Sequence, residues 1–176
     1  HVSDPRAITL ALYDAARARG IDHVKAEITS IGTEPTLRLF AKDRDALNTD
    51  AVVIAAGAWS KELAASVGDR IPLDTERGYN ITFPNAKNHL NRPVSFQGHG
   101  FVSSPLDIGL RIGGAVELGG LKLPPNHERT KAMYKKAGRF FRELPAFDEG
   151  TIWMGFRPSI PDSLPVIGYS KKSRRV

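Results

Sequence analysis

The sequence contains no cysteine in its 176 residues. This absence excludes a disulfide framework, iron–sulfur ligation, a thiolate zinc site and a cysteine nucleophile. The sequence also lacks any apolar run close to the roughly 20 residues that a membrane-spanning helix needs. Its first residues have neither the charged start nor the apolar core of a signal peptide. We therefore expect no transmembrane segment, and we interpret a chain that opens on His1 and runs directly into a helix as an internal piece of a longer protein.

The excess of basic residues is concentrated at the end of the chain. The formal net charge is +6, and residues 171–176 contain four basic side chains, so the remainder carries only +2. A basic tail can contact nucleic acid or an anionic surface. However, no aromatic residue follows Tyr169 to stack on bases. This pattern favours a solvated end or a cut made in mid-chain, and it predicts no nucleic-acid partner.

With 41% apolar and 25% charged residues, the composition is that of a packed globular protein. Residues 1–69 are typical of an α/β arrangement. Asp4 and Pro5 predict the start of a helix over residues 5–19, alternation predicts strands near residues 24–28 and 37–41, and residues 43–50 are interpreted as a turn. The continuous apolar run at residues 51–56 predicts a strand buried on both faces, followed by a helix that ends at Gly68.

Residues 70–160 have a different pattern, in which short alternating segments are separated by glycine, proline and asparagine. This spacing predicts an antiparallel sheet. The predicted strands are residues 79–83, 94–96, 101–103, 108–112, 115–118 and 151–156, with a further short one at 166–167. The Gly98-His99-Gly100 sequence predicts a hairpin turn, and an apolar stripe predicts a covering helix over residues 126–144.

The stretch VVIAAGAWS (residues 52–60) ends a predicted buried strand with small residues. Small residues let the backbone approach another group closely. Two interpretations remain open for it, a strand end that faces a cofactor at the carboxyl edge of a sheet and tight packing of a helix on a strand.

The stretch GFRPSIPDSLPVIG (residues 155–168) is interpreted as a rigid loop, stiffened by three prolines, that presents Arg157. A guanidinium group fits the two oxygens of a carboxylate, which suits recognition of an acidic ligand. The alternative is a structural arginine paired with Asp162 or a carbonyl group. Four histidines, His23, His89, His99 and His127, are scattered, and we find no catalytic triad and no metal-ligand spacing, so no catalytic side chain and no metal site is predicted.

Together with Arg77-Gly78-Tyr79 and LRIGGAVE (residues 110–117), these two stretches resemble the FAD-dependent amino-acid oxidoreductases of the D-amino acid oxidase and glycine oxidase type. Within this family the chain resembles the bacterial D-amino acid dehydrogenase small subunit. The resemblance covers nearly the whole chain. The GxGxxG segment with which the family begins and its closing glycine-rich segment are absent from this sequence.

The resemblance implies an α+β fold, with an antiparallel substrate-binding sheet, covering helices and a partial α/β FAD-binding portion. It implies that residues 1–69 belong to the FAD-binding domain, 70–160 to the substrate-binding domain and 161–176 to the start of the return. The implied substrate-binding residues are Arg157 and Tyr79, and the implied cofactor-binding residues are Ala55, Ala56, Gly57 and Ile28. An ion pair between Arg111 and Glu117 is expected on the sheet.

The resemblance further implies oxidative deamination of D-amino acids to 2-oxo acids by hydride transfer to FAD, which the chain alone is not expected to bind. A quinone or another acceptor would reoxidise the flavin. The alternatives are glycine, sarcosine or D-hydroxyproline as substrate, and a non-catalytic binding module. We expect a cytoplasmic location, with peripheral association at the inner membrane as an alternative, and self-association of the chain through apolar surface that lacks cover.

Overall fold

A computed structural model describes residues 2–84, 86 and 90–176. The chain forms two compact units, residues 1–22 with 77–156 and residues 23–76 with 157–176. The helices are α1 (Pro5–Ala18), α2 (Ser60–Val67) and α3 (Glu128–Ala137), and short 3-10 turns lie at Gly57–Trp59 and Phe147–Glu149. The strands are β1 (Ile28–Gly32), β2 (Arg38–Ala41), β3 (Leu47–Asn48), β4 (Asp74–Pro84), β5 (Val94–Phe96), β6 (Phe101–Leu106), β7 (Gly109–Glu117) and β8 (Thr151–Ser159).

The larger sheet has the strand order β5-β6-β7-β4-β8. The β5–β6, β6–β7 and β7–β4 pairs are antiparallel. Residues Gly98 and Gly100 have positive φ in the turn between β5 and β6, which confirms the predicted hairpin. The apolar core of this unit lies between the sheet and α3, and its buried members are Ile81, Phe83, Phe101, Ile112, Met133 and Ala137.

The LRIGGAVE stretch owes its second glycine to the geometry of β7. The register between β4 and β7 shifts after Tyr79, so Gly114 is the extra residue opposite β4. Gly114 has a φ of +145°, and a Cβ atom there would come 2.7 Å from the carbonyl oxygen of Gly100. Only glycine fits this position without moving the neighbouring backbone.

The smaller sheet has the antiparallel order β1-β2-β3 and packs against α2. Its buried core consists of Ile31, Leu37 and Val67, with Val52, Ile54 and Val176 packed against them. Helix α2 ends at Gly68, as the sequence predicts. The α+β class with antiparallel sheets is confirmed.

Several predicted elements have different bounds in the structure. Strand β1 begins only at Ile28, and the residues before it form no ladder, so the alternation that starts at Val24 does not extend the strand. Residues 43–50, interpreted as a turn, contain the two-residue strand β3. Helix α3 ends before Gly138 because a glycine costs backbone entropy inside a helix, although the apolar stripe continues. Residues 166–167 are exposed and form no strand.

Residues 51–56 form no strand, which overturns the prediction of a strand buried on both faces. Val52 and Ile54 turn inward to the core of their unit, whereas Val53 is 89% exposed. A strand needs hydrogen-bonding neighbours on its edges. Among the described residues, the one backbone hydrogen bond that joins this run to a distant segment is from the N–H of Val52 to the carbonyl of Arg175, so the run has the composition of a central strand without strand neighbours there.

Helix α1 confirms its predicted position but buries none of its residues. Asp4 caps it by accepting hydrogen bonds from the backbone N–H groups of Arg6 and Ala7. Its apolar side chains stay open to solvent, with Leu12 68% exposed. No helix in residues 2–84, 86 and 90–176 is long and apolar enough to cross a bilayer.

Candidate functional site

Arg157 lies on β8 and extends from the surface of its unit. Its side chain is 61% exposed, and its Nη1 atom lies 3.3 Å from Oε2 of Glu76 on β4. The other carboxylate oxygen, Oε1 of Glu76, accepts a hydrogen bond of 3.2 Å from the hydroxyl of Ser159. Ser159 lies two residues beyond Arg157, on the same face of the strand. The arrangement is therefore a guanidinium held at one edge by a carboxylate that is itself fixed.

Most of the hydrogen-bonding capacity of Arg157 is available for a ligand. A guanidinium has five N–H donors, and among the described residues only one donor of Arg157 has a protein acceptor. The sequence left open a structural pair with Asp162, but Asp162 accepts instead from the backbone N–H of Leu164. Glu76, which the sequence analysis did not single out, is the acidic partner.

Tyr79 lies in the interior of the other unit and is 2% exposed. Its hydroxyl donates to Oε2 of Glu117 at 2.5 Å and accepts from the backbone N–H of Asn126 at 3.0 Å. Both functions of the phenol are thus occupied by the protein. This environment favours a role in holding the end of β7 and the segment before α3 over direct contact with a ligand.

Arg77, which stands out in the sequence only as part of the Arg77-Gly78-Tyr79 motif, is completely buried. Its guanidinium donates to the carbonyl oxygens of Gly120, Leu123 and Pro124, at 2.7, 2.5 and 3.0 Å. Its Nη1 atom also lies 3.5 Å from Glu117. One side chain thus anchors residues 118–127, the irregular connection between β7 and α3, which we call the β7–α3 connection.

Glu117 is the acidic centre of this cluster, with its side chain 16% exposed. The hydrogen bond from Tyr79 lowers the pKa of Glu117 most, partial burial raises it, and the charges of Arg129 and Arg77 lower it further, so the net shift is below the ordinary value. Glu117 therefore stays ionised into mild acid. The prediction of an ion pair between Arg111 and Glu117 was wrong. Arg111 donates to the hydroxyl of Thr82, and Glu117 pairs with Arg77 and Arg129.

The residues with implied cofactor contacts lie in the unit that contains β1 to β3. Ala55 and Gly57 are exposed and Ala56 is half-buried. Gly57 has a φ of +55°, and no atom lies within 4 Å of where its Cβ would be. Ile28 is half-buried at the start of β1, opposite Ala41.

This open run of small residues fits close approach by a flat, large group such as FAD, since no side chain shields its backbone. The backbone N–H of Ala56 is already bonded to the hydroxyl of Ser60, at 3.1 Å. The run contains no basic side chain from Ala51 to Ser60.

The basic end of the chain is not a free tail. The carbonyl of Arg175 accepts from Val52, its guanidinium donates to the carbonyl of Thr33 at 2.7 Å, and Val176 packs into the core. The side chains of Lys171, Lys172, Arg174 and Arg175 are exposed, as expected of a solvated end, while these contacts hold the backbone beside them.

The histidines provide no evidence of a metal or catalytic centre. His99 packs edge-on against Phe140, with the ring centroids 4.7 Å apart, and His127 is exposed where α3 begins. His89 lies outside the described residues. Among the residues that the structure describes, no group of three or more histidine, aspartate or glutamate side chains is placed to bind a metal ion.

Comparison with known proteins was made at the level of family, sequence and structure. The family described as DAO, FAD dependent oxidoreductase, matches residues 1–176. A D-amino-acid oxidase of Bradyrhizobium diazoefficiens is 36% identical over 98% of this chain, and a D-amino acid dehydrogenase of Dechloromonas aromatica is 30% identical over 96%. The chain spans 42% of the length of each of these relatives.

Solved structures agree on the fold. The glycine oxidase of Geobacillus kaustophilus matches 94% of this chain with a TM-score of 0.76 and 21% identity, and it is covered over 45% of its own length. The L-proline dehydrogenase of P. horikoshii matches 96% with a TM-score of 0.76 and 22% identity, and 47% of it is covered. The whole-chain family match and the curated relatives show that the chain belongs to the DAO family of FAD-dependent oxidoreductases.

Proposed function

We propose that this chain provides the substrate-carboxylate site of an FAD-dependent enzyme that oxidises D-amino acids to 2-oxo acids. The observation that carries the proposal is Arg157, 61% exposed and with a single donor engaged by the protein. The relatives named D-amino-acid oxidase and D-amino acid dehydrogenase favour this substrate class. Arg157 is the residue for which the family resemblance implies a grip on the substrate carboxylate.

In this proposal the residues of the chain bind and orient the substrate, and FAD would supply the chemistry by accepting a hydride from the substrate α-carbon. Water then hydrolyses the resulting imino acid to the 2-oxo acid and ammonia. Arg157 binds the carboxylate through two parallel N–H···O bonds, which fix the position and the angle of the α-carbon. The backbone of residues 55–57 and Ile28 contacts FAD. Tyr79 acts indirectly in this proposal, by helping to hold the β7–α3 connection in place.

The proposal is tested by Arg157→Lys in the FAD-loaded enzyme, with steady-state kinetics on D-alanine. An ammonium group cannot reproduce the bidentate geometry. Because hydrogen bonds between charged groups contribute about 1.5–3 kcal/mol, we expect KM to rise about 10- to 100-fold. Arg38→Lys, an exposed arginine of β2, is the control. An unchanged KM for Arg157→Lys would show that Arg157 is not the carboxylate ligand.

The cofactor contact is tested at Gly57, in the enzyme purified with FAD. Gly57→Val places a branched side chain on the open run, and we expect the retained flavin, measured by absorbance, to fall several-fold. Gly120→Val is a matched control, because Gly120 has a similar φ of +58° and equally open surroundings. Equal loss of flavin in both variants would show that backbone strain, and not the loss of a cofactor contact, causes the effect. Normal flavin content in Gly57→Val would remove residues 55–57 from the cofactor site.

The same proposal extends to the preferred substrate, the electron acceptor and the location of the enzyme. A kinetic screen of D-amino acids with glycine, sarcosine and D-hydroxyproline identifies the preferred amine, and inactivity on all of them would favour a binding module. A quinone is the proposed electron acceptor, and the cytoplasm, with contact to the inner membrane, is the proposed location. Exposed apolar residues of α1 and Val53 support self-association of the chain, for which light scattering is the test.

A further inference from the structure

Glu76 adds a negative charge beside the arginine that is proposed to bind a carboxylate. Its Oε2 lies 3.3 Å from Nη1 of Arg157, and its Oε1 is fixed by the hydroxyl of Ser159 at 3.2 Å. With a side chain 35% exposed, Glu76 remains accessible from solvent. A ligand carboxylate that binds the free edge of Arg157 therefore shares one guanidinium with a second carboxylate.

Two carboxylates at one guanidinium repel each other, which weakens binding of a simple carboxylic acid. An amino acid differs because it carries an ammonium group one carbon away from its carboxylate. That ammonium is attracted to the fixed carboxylate of Glu76 and offsets the repulsion. The pair of Arg157 and Glu76 is thus complementary to a zwitterion, with one charge of each sign, and not to a monoanion.

We propose that Glu76 is a specificity-determining residue that selects α-amino acids over carboxylates without an amino group. This inference rests on the proposed function, since it takes Arg157 as the carboxylate ligand. It assigns to Glu76 the discrimination between substrate and deaminated analogues, including the 2-oxo acid product. A product that lacks the ammonium is repelled by Glu76, which favours its release.

The test compares a matched pair of ligands in the FAD-loaded enzyme, D-alanine as substrate and propionate, the same carbon skeleton without the amine, as competitive inhibitor. Glu76→Gln keeps the size of the side chain and removes its charge. We expect the Ki of propionate to fall about fivefold, as befits a half-exposed charge pair that water screens. The KM of D-alanine is expected to rise or stay constant.

Three controls separate the possible causes. Glu76→Asp keeps the charge and should keep most of the discrimination. Glu62→Gln makes the same change at an exposed position of α2 in the same unit and should move neither constant. Ser159→Ala removes the hydroxyl that fixes Glu76 and should reduce discrimination less than Glu76→Gln does.

The outcomes distinguish this inference from the proposed function. If the constants for propionate and D-alanine move by the same factor in Glu76→Gln, Glu76 acts only through the fold and the inference is wrong. The inference is also wrong if neither constant moves while Arg157→Lys weakens both ligands. If Arg157→Lys affects neither ligand, the proposed function itself fails.

Discussion

Arg77 and Arg157 show how the same side chain serves two different ends in the two units of this chain. Arg77 has no exposed surface, and its donors are engaged by three carbonyl groups and Glu117. Arg157 is 61% exposed and engages only Glu76 among its described neighbours. An arginine that is fully buried, with four of its five N–H donors engaged, presents no surface to a ligand. An arginine with free donors has binding capacity, which is why the functional proposal depends on Arg157.

The largest predicted effect is the loss of stability in Arg77→Lys. A lysine ammonium cannot span the carbonyl groups of Gly120, Leu123 and Pro124 at once, so at least two of these part-buried acceptors lose their donor. Each acceptor left without a donor typically costs about 1–3 kcal/mol, which gives about 2–6 kcal/mol for two. We expect a loss of this size in the free energy of unfolding, measured by urea denaturation.

Arg157→Lys is the matched variant for this measurement. A pair at the surface contributes about 0–1 kcal/mol, so the free energy of unfolding should hardly change. An equal loss in the free energy of unfolding in both variants would contradict the distinction between a structural and a binding arginine. The distinction is supported if Arg77→Lys alone unfolds at lower urea concentration and Arg157→Lys alone changes ligand binding.

A smaller effect is predicted for Tyr79→Phe, which keeps the ring and removes the hydroxyl between Glu117 and Asn126. Loss of this hydroxyl should cost about 1–2 kcal/mol in the free energy of unfolding at neutral pH. The hydrogen bond from Tyr79 is also the main cause of the lowered pKa of Glu117. We therefore expect the pKa of Glu117 to rise in Tyr79→Phe.

The pH dependence follows from the direction of that shift. Since the pKa of Glu117 in the folded chain lies below its ordinary value of 4.5, the ionised carboxylate stabilises the fold above pH 4.5. This contribution is lost as the pH falls through the folded-state pKa. The stability gap between the parent chain and Tyr79→Phe should narrow in that acid range, and a gap independent of pH would show that the hydroxyl does not act through Glu117.

Local signals in the sequence were sufficient for most of the elements. Asp4 and Pro5 mark the start of α1, Gly68 marks the end of α2, and the Gly98-His99-Gly100 turn joins β5 and β6 as predicted. These features depend on neighbours in the chain. Residues 51–56 depend on distant strands. Their apolar run could not reveal that, among the described residues, the one backbone hydrogen bond to a distant segment is the bond that Val52 donates to Arg175.

The candidate site was predicted only in part for the same reason. Arg157 stands out because three prolines follow it, but the strand predicted at residues 151–156 extends to Ser159, so Arg157 lies on β8 and not in the predicted loop. Glu76 lies 81 positions away from Arg157, so nothing local connects the two. Arg77 was visible only as one letter of a motif, since its partners are backbone carbonyl groups, which every residue has.

Because Arg77 binds backbone carbonyl groups, the β7–α3 connection tolerates substitution of its exposed side chains. In this segment Arg77 hydrogen-bonds only to the backbone carbonyl groups of Gly120, Leu123 and Pro124. The side chains of Lys122 and Leu123 are exposed to solvent. Substitutions at those two exposed positions leave every anchoring bond in place, whereas a one-residue insertion shifts the carbonyl groups out of reach. Lys122 and Leu123 are therefore suitable positions for attaching a fluorescent label in place of the existing side chain, provided that the length of the segment is kept.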